Sequence, residues 1–279
     1  MFCAVQVADA LTRSFEGSVM AANVSAQGYE RRFRPENVDP FASYVYFREA
    51  RPVAVLLIAR RDWTSRIAAM AVAKEARGRG VGKRIMQFAL REAGSRGDRS
   101  VVLEVVEHNT PAVNLYTSLG FGPLRRLVGY HRGPYGTAPD AADTLSEFDP
   151  LDFARVVARE GEPGLPWMLA AETLSGMVSP MRAYHLDHHA YALIGDPETK
   201  VISLTALVVP RADRRKGWGT RLLRTLCAGF PDRGWSIPAI VPEELAPAFF
   251  ERCGWEVQDT SQLEMVLNLP QRSESGADD

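Results

Sequence analysis

Hydrophobic and polar positions write one pattern twice along this chain. Tyr44 to Arg48, Pro52 to Arg60 and Arg66 to Val72 are apolar runs separated by short polar breaks, which predicts three consecutive strands. Arg61-Asp62-Trp63-Thr64 is the turn between the last two. The pattern returns as Met181 to Leu186, His189 to Ile194 and Val201 to Val209, with Gly195-Asp196-Pro197 as a tight turn. Tyr46 to Val72 aligns with Ala183 to Val209 without a gap. In each copy a glycine-rich loop and then a helix follow. Ile85, Met86, Ala89, Leu90 and Ala93 fall on one face of the first helix, and Leu222, Leu223, Leu226 and Cys227 on one face of the second.

After the first helix, Val101 to Val106 reads as a buried strand, and Thr110 to Leu119 as a helix stopped by Gly120. The counterparts are Ile237 to Val241 and Glu244 to Cys253, stopped by Gly254. Gly133 to Pro139 is dense in turn formers and reads as a linker. The expected organisation is therefore a domain at 1–136, a second at 140–270, and a polar, disordered tail at 271–279.

Composition adds limits. A chain of 279 residues that is 46% hydrophobic and 24% charged suits two globular domains, each with its own core. Cys3, Cys227 and Cys253 have no metal-ligand or disulfide spacing, which points to small buried hydrophobes in a reducing compartment. There is no apolar run of membrane-spanning length. The start Met-Phe-Cys-Ala-Val lacks a basic region leading into an apolar core, so a cytoplasmic location without membrane partners is expected. The net charge of −1 hides a split: residues through Pro139 carry 20 Lys plus Arg against 12 Asp plus Glu, and the remainder 13 against 22. A basic half suits a polyanionic ligand. The arginines are scattered rather than striped among aromatics, which argues against nucleic acid.

Candidate chemistry begins at Arg77-Gly78-Arg79-Gly80-Val81-Gly82-Lys83, echoed by Arg214-Arg215-Lys216-Gly217-Trp218-Gly219. A strand running through such a loop into a helix aims backbone N–H groups and the positive helix end at one point, which binds phosphate. Glycines at 80 and 82 let a ligand approach the backbone. Neither loop has the spacing of a triphosphatase or dinucleotide site. A ligand-free turn between strand and helix is the bland alternative.

The run Met70 to Gly82, then Leu103-Glu104-Val105, then Asn109, Ala112, Leu115, Tyr116, Gly120 and Phe121, resembles the GNAT superfamily of acyl-CoA-dependent N-acetyltransferases. The likeness covers nearly all of residues 1–135. It implies an α/β fold of two tandem GNAT-type domains, each a mixed, mostly antiparallel sheet flanked by helices. It also implies acetyl-CoA as co-substrate, its pyrophosphate on Arg77 to Lys83 and its pantetheine along Met70, Ala71 and Val72. The backbone N–H near Val72 would face the thioester oxygen. Leu103 to Phe121 looks most like the ribosomal-protein-alanine N-acetyltransferases, which makes Glu104 the candidate base and Tyr116 the candidate acid. Glu107 and His108 are rival bases, Tyr116 is alternatively a core aromatic, and Asn109 is either a helix cap or a pantetheine contact.

The second copy departs where chemistry is needed. Setting Gly254-Trp255 over Gly120-Phe121 puts Phe250 opposite Tyr116, Glu243 opposite Asn109 and Pro238 opposite Glu104. This half either binds CoA without turnover or keeps its loop as a fold element, and its acidic balance favours the latter. His185 and His189 would share a face of one regular strand, but no carboxylate or cysteine pattern joins them and no metal is expected. The expected activity is acetyl transfer to a primary amine in a ternary complex. The acceptor is a protein N-terminus, with a small-molecule amine as alternative; a non-catalytic acyl-CoA-binding protein is the rival class. Ser14 to Asp39, with Tyr29, Arg31, Arg32 and Arg34, is the expected acceptor-binding segment.

Overall fold

The structure is a computed structural model and describes residues 3–18, 23–134, 143–245 and 248–270. In chain order the first elements are α1 (Ala4–Phe15), α2 (Ala26–Phe33), β1 (Tyr44–Arg48), β2 (Arg51–Arg61), β3 (Thr64–Val72), α3 (Val81–Arg96), β4 (Ser100–Val106) and α4 (Thr110–Ser118). There follow β5 (Gly122–Arg132), β6 (Ser146–Phe148), α5 (Pro150–Glu160), α6 (Ala171–Leu174), β7 (Arg182–Leu186), β8 (Ala190–Ile194) and β9 (Val201–Val208). The last are α7 (Trp218–Gly229), β10 (Gly234–Pro242), α8 (Phe249–Arg252), β11 (Glu256–Val257) and β12 (Gln262–Asn268).

The chain forms two compact units, Met1–Leu124 with Leu263–Asp279, and Arg125–Gln262. In the first, the strands run β1-β2-β3-β4-β12. The β1/β2 and β2/β3 pairs are antiparallel and β3/β4 is parallel. In the second the order is β5-β10-β9-β8-β7-β6, with β11 on the other side of β5. There β9/β10 is parallel and the other pairs with a recorded register are antiparallel. Each unit is thus a mixed, mostly antiparallel sheet with helices on it.

The division corrects the boundaries expected at 1–136 and 140–270. The repeat ends each copy with a strand, and packing assigns those strands the other way. Val128 and Tyr130 of β5 lie in the core of the second unit, whereas Met265 of β12 is buried in the first, with Leu263, Leu267 and Leu269 packed around it. Most of the expected linker, and all of the expected tail, fall outside the described residues. The charge contrast shrinks with the new division: 18 basic residues face 16 acidic ones in the first unit, and 15 face 18 in the second. The acidic balance that spoke against an anion in the second half is largely a product of where the halves were cut.

Strand β2 reads as an unbroken apolar run because both of its faces are covered. Ala54, Leu56 and Ile58 pack under α3 and α4, and Val55 and Leu57 under α1 and α2. Helix α3 buries Ile85, Met86, Ala89 and Ala93, the stripe expected from its spacing. It starts at Gly80 and stops at Gly97, both left-handed, the latter donating to the carbonyls of Ala93 and Gly94. No helix among the described residues is long and apolar enough to cross a membrane.

Candidate active site

The candidate site in the first unit is a cleft made by two strands that part. Strands β3 and β4 pair from Thr64/Ser100 to Ile67/Leu103, and no paired positions follow. On its other side β3 carries a bulge: Leu57 pairs with Ala69 and Ile58 with Ile67, leaving Ala68 as the extra residue. The bulge resets the alternation. Met70 and Val72 now face the core under α3, and Ala69 and Ala71 the core under α1.

Backbone polarity follows from the ladder. Ala73 N–H donates to the Val53 carbonyl at 2.9 Å, so by the alternation of an antiparallel pair Ala71 spends its N–H and carbonyl on Val55. Met70 and Val72 then turn their backbone groups the other way, into the opening. Of the three residues expected along the pantetheine, Ala71 pairs its backbone with β2, whereas Met70 and Val72 turn theirs away from it.

At the end of the cleft stands the glycine loop. Gly78 and Gly80 have φ of 72° and 71°, a conformation that side-chain-bearing residues rarely adopt. The chain then enters α3 with the N–H groups of Val81, Gly82 and Lys83 short of helical partners. Gly82 is in no such strained conformation. A Cβ there would meet Leu115 Cδ2 at 3.5 Å, and Met70 Cε and Val72 Cγ2 at 3.8 Å, so Gly82 sits against the cleft wall. Arg79 and Lys83 are exposed.

Arg77 departs from expectation. Its guanidinium donates to the carbonyls of Val72 (2.8 Å), Ser14 (3.2 Å) and Glu16 (2.7 Å), tying the end of β3 to the end of α1. Through Nε and Nη2 it acts as a strap between these segments.

Glu104 lies one residue past the last β3/β4 pair, on the face opposite Leu103 and Val105. It is not a solvated strand residue, because its side chain is only 7% exposed. Arg66 Nε donates to both of its oxygens, at 3.0 and 2.8 Å, and Nη2 lies 2.8 Å from Oε2. The other end of the guanidinium, Nη1, is 2.5 Å from Oε2 of buried Glu36. Tyr116 occupies the other face. It is buried, packed edge-on to Phe121 with centroids 5.9 Å apart, and burial pushes its hydroxyl up to about 12. The structure thus sets Glu104 and Tyr116 on opposite faces of β4. Asn109 stands at the N-cap of α4, yet its side chain makes no capping bond there. Glu107 and His108 are exposed in the turn beyond β4.

Arg66 and Glu36 escaped the sequence reading. One signal was present: Arg66 opens an otherwise apolar run, and a buried charge needs a partner. Its partners lie 38 and 30 positions away, however, and no local pattern names them.

The second unit keeps the scaffold. Arg214 repeats the strap of Arg77, donating to the carbonyls of Val209 (3.0 Å) and Glu160 (2.7 Å), and it also pairs with Glu162. Strands β9 and β10 pair only from Val201/Gly234 to Ser203/Ser236 before parting. A cavity of about 520 Å³ lies beyond, walled by Leu204, Ala206, Val241 and Phe249 and bordered by Trp218 and Gly219. Phe250 meets Trp255 edge-on at 6.0 Å, the arrangement of Tyr116 and Phe121 without the hydroxyl. Lys216 pairs with Asp213 and Arg221 with Asp143, while Trp218 is sandwiched between His189 (4.2 Å) and the Arg221 guanidinium (4.2 Å).

The histidines do not share a strand face. Asp187 and His188, both at positive φ, and His189 form the three-residue turn between β7 and β8. His185 stacks on His188 at 3.9 Å, and His189 instead hydrogen-bonds Asp213 at 2.8 Å.

A bulged strand parting from its parallel neighbour and a glycine loop feeding a helix at that point form the frame of the first unit, and the second unit repeats the parting strands and the glycine loop. Residues 5–121 match the model of the acetyltransferase (GNAT) family. Along its whole length the chain shares the fold of a tandem GNAT protein from the clavulanic acid biosynthesis pathway. That likeness has a TM-score of 0.65 at 19% identity, over 96% of both chains. Two fission-yeast (Schizosaccharomyces pombe) proteins are similar in sequence. The N-terminal acetyltransferase B complex catalytic subunit naa20 is 29% identical over 83 residues, which is 30% of this chain and 46% of that protein. N-alpha-acetyltransferase 30 is 37% identical over 65 residues, 23% and 43% respectively. The chain therefore spans under half the length of either relative.

Proposed function

We propose that the first unit transfers the acetyl group of acetyl-CoA directly to a primary amine, and that the amine is the α-amine of a protein or peptide N-terminus. The observation that carries this reading is the opened β3/β4 cleft, with Glu104 on one face, Tyr116 on the other and the glycine loop at its end. The two N-terminal acetyltransferases among its relatives support the acceptor class.

An amine attacks a thioester only when neutral. An α-amine near ~7.8 loses its proton more readily than a lysine near ~10.4, by roughly 3.5 kcal/mol. The Glu104 carboxylate accepts that proton through a water, using the lone pairs that Arg66 leaves open. The N–H of Val72 faces the oxygen that becomes negative as the amine adds. Arg77 holds the carbonyl of the same residue, and so holds this peptide plane in place.

Tyr116 then donates towards the departing sulfur. With its hydroxyl pushed up to about 12 it keeps its proton throughout the working range. It is a weaker acid than a free thiol by roughly 3.5 units, or about 5 kcal/mol, so the proton passes as the C–S bond breaks and not before. The N–H groups at the start of α3, with Arg79 and Lys83 nearby, take the pyrophosphate. The second unit has Pro238 and Phe250 in place of the two chemical groups and does not turn over.

The test is release of CoA thiol from acetyl-CoA in the presence of short peptides differing in their first residue, set against peptides blocked at the N-terminus. Glu104→Gln is expected to lower kcat by about 100-fold or more. Wild-type rates in both Glu104→Gln and Tyr116→Phe would sink the site assignment, and transfer to blocked peptides alone would sink the acceptor class.

A further inference from the structure

Two buried charges, Arg66 and Glu36, have no part in the reaction as drawn. We propose that Arg66, held in turn by Glu36, is the positioning residue for the Glu104 carboxylate. This rests on Glu104 being the base.

The place of the contact carries the inference. Up to Ile67 and Leu103 the backbone ladder fixes β4 against β3. Glu104 is the first residue of β4 beyond that ladder, where the strands have begun to part to make the cleft. A base there has lost the hydrogen-bonded neighbour that would otherwise fix its distance from Met70 and Val72. The Arg66 side chain spans the opening from the last paired stretch of β3. Nε reaches both carboxylate oxygens, at 3.0 and 2.8 Å, and Nη2 lies 2.8 Å from one of them. The side chain bridges the strands at the point where the main chain stops doing so.

A guanidinium is planar and rigid, so gripping both oxygens along one edge fixes the plane of the carboxylate as well as its position. The remaining lone pairs then point away from β3 in a set direction. Glu36 removes the last freedom. Its Oε2 takes Nη1 at 2.5 Å, and its side chain is 2% exposed. With both ends engaged the guanidinium cannot swing away from Glu104. Arg32, from α2, adds a weaker contact to Glu36 at 3.9 Å. One carboxylate is enough to neutralise a buried guanidinium, and burying a second adds a desolvation cost that its own contacts must offset. Here the second one fixes the direction in which Arg66 points.

The experiment is a double-mutant cycle in the full-length protein, read as peptide-dependent CoA thiol release with melting temperatures recorded alongside. Lysine keeps the charge of Arg66 but loses the fork, so Arg66→Lys is expected to lower kcat about 10- to 100-fold while KM for acetyl-CoA stays within about twofold. Glu36→Gln, whose amide oxygen still accepts from Nη1, is expected to cost only a few-fold. In the Glu104→Gln background Arg66→Lys is expected to cost nothing more, because its effect runs through that carboxylate.

Wild-type kcat in Arg66→Lys, with Glu104→Gln impaired, would overturn the positioning role and leave the base in place. Losses that simply multiply in the double variant would overturn it as well. Wild-type rates in Glu104→Gln would remove the base and the positioning role together. If Arg66→Lys fails to melt cooperatively, Glu36→Gln takes its place in the same cycle: a loss that vanishes beside Glu104→Gln supports the inference, and a loss that persists overturns it.

Discussion

Arg77 and Arg214 hold the same carbonyl position in the two units, Val72 in one and Val209 in the other, and both reach back to the end of a preceding helix. Tyr116 meets Phe121, and Phe250 meets Trp255, at nearly equal distances and angles. At the next level the units differ. Opposite Glu104 stands Pro238, which has neither a carboxylate nor an N–H, and opposite the Tyr116 hydroxyl there is none. What persists between the copies is what builds the cleft. What differs is the pair of side chains proposed to react in it. The first residue of each glycine loop, which resembles a phosphate ligand by its sequence, belongs to the part that builds.

The widest separation is expected at the glycine loops. Gly80→Val forces a branched side chain into a left-handed conformation at the mouth of the cleft, and is expected to abolish acetyl-CoA binding and transfer. Gly217→Val, at φ 86°, is expected to leave transfer intact. Calorimetry with acetyl-CoA is expected to give one equivalent per chain, lost in Gly80→Val; two equivalents would erase the contrast between the units. Tyr116→Phe makes the first unit copy the second at one atom. It is expected to reduce kcat by roughly 100-fold with little change in KM, while Phe250→Tyr yields no new activity. Equal rates for Tyr116→Phe and wild type would return Tyr116 to the packing role of Phe250.

Smaller effects separate the cores. Met265→Ala removes a fully buried side chain from the first unit and is expected to cost about 2 to 5 kcal/mol. Amide exchange followed unit by unit would check whether the loss appears in residues 1–124. Titration gives the last distinction. The Tyr116 hydroxyl is raised by burial from 10.0 to about 12, so the folded state favours the protonated form. Its contribution is complete below pH 10 and is lost as the pH rises towards 12, to a total on the order of 3 kcal/mol. Denaturant titrations of Tyr116→Phe between pH 9 and 12 are expected to show a correspondingly shallower alkaline decline.

Much of the frame was legible because it rests on local periodicity. Tyr44–Arg48 forms as expected, and the other predicted strands of the two repeats shift by only a few residues at their ends. The helical stripe of α3 is also the buried one. The exchange of β5 and β12 was not legible, since their apolar residues say only that they are buried and not in which core. Met265 could fill either. The frame of the candidate site was legible where motifs mark it, with Met70 and Val72 on the parting strand and the glycine loop before α3. It was hidden where partners are brought together by folding alone, as Arg66 and Glu36 are. The Arg77 strap was not legible because a guanidinium serves a phosphate and a carbonyl equally well, and its carbonyl partners Ser14 and Glu16 lie far away in sequence.

Strand β12 also sets an order of events during synthesis. The first unit has its loop, its cleft and both candidate chemical groups by residue 121, yet its sheet is finished by residues that leave the ribosome only after the whole second unit has been made. Until then β4 presents an open edge and the pocket for Met265 has no side chain in it. Folding of the first unit thus depends on β12, and a protein interrupted in its second half is expected to lack both that strand and the activity proposed for this unit.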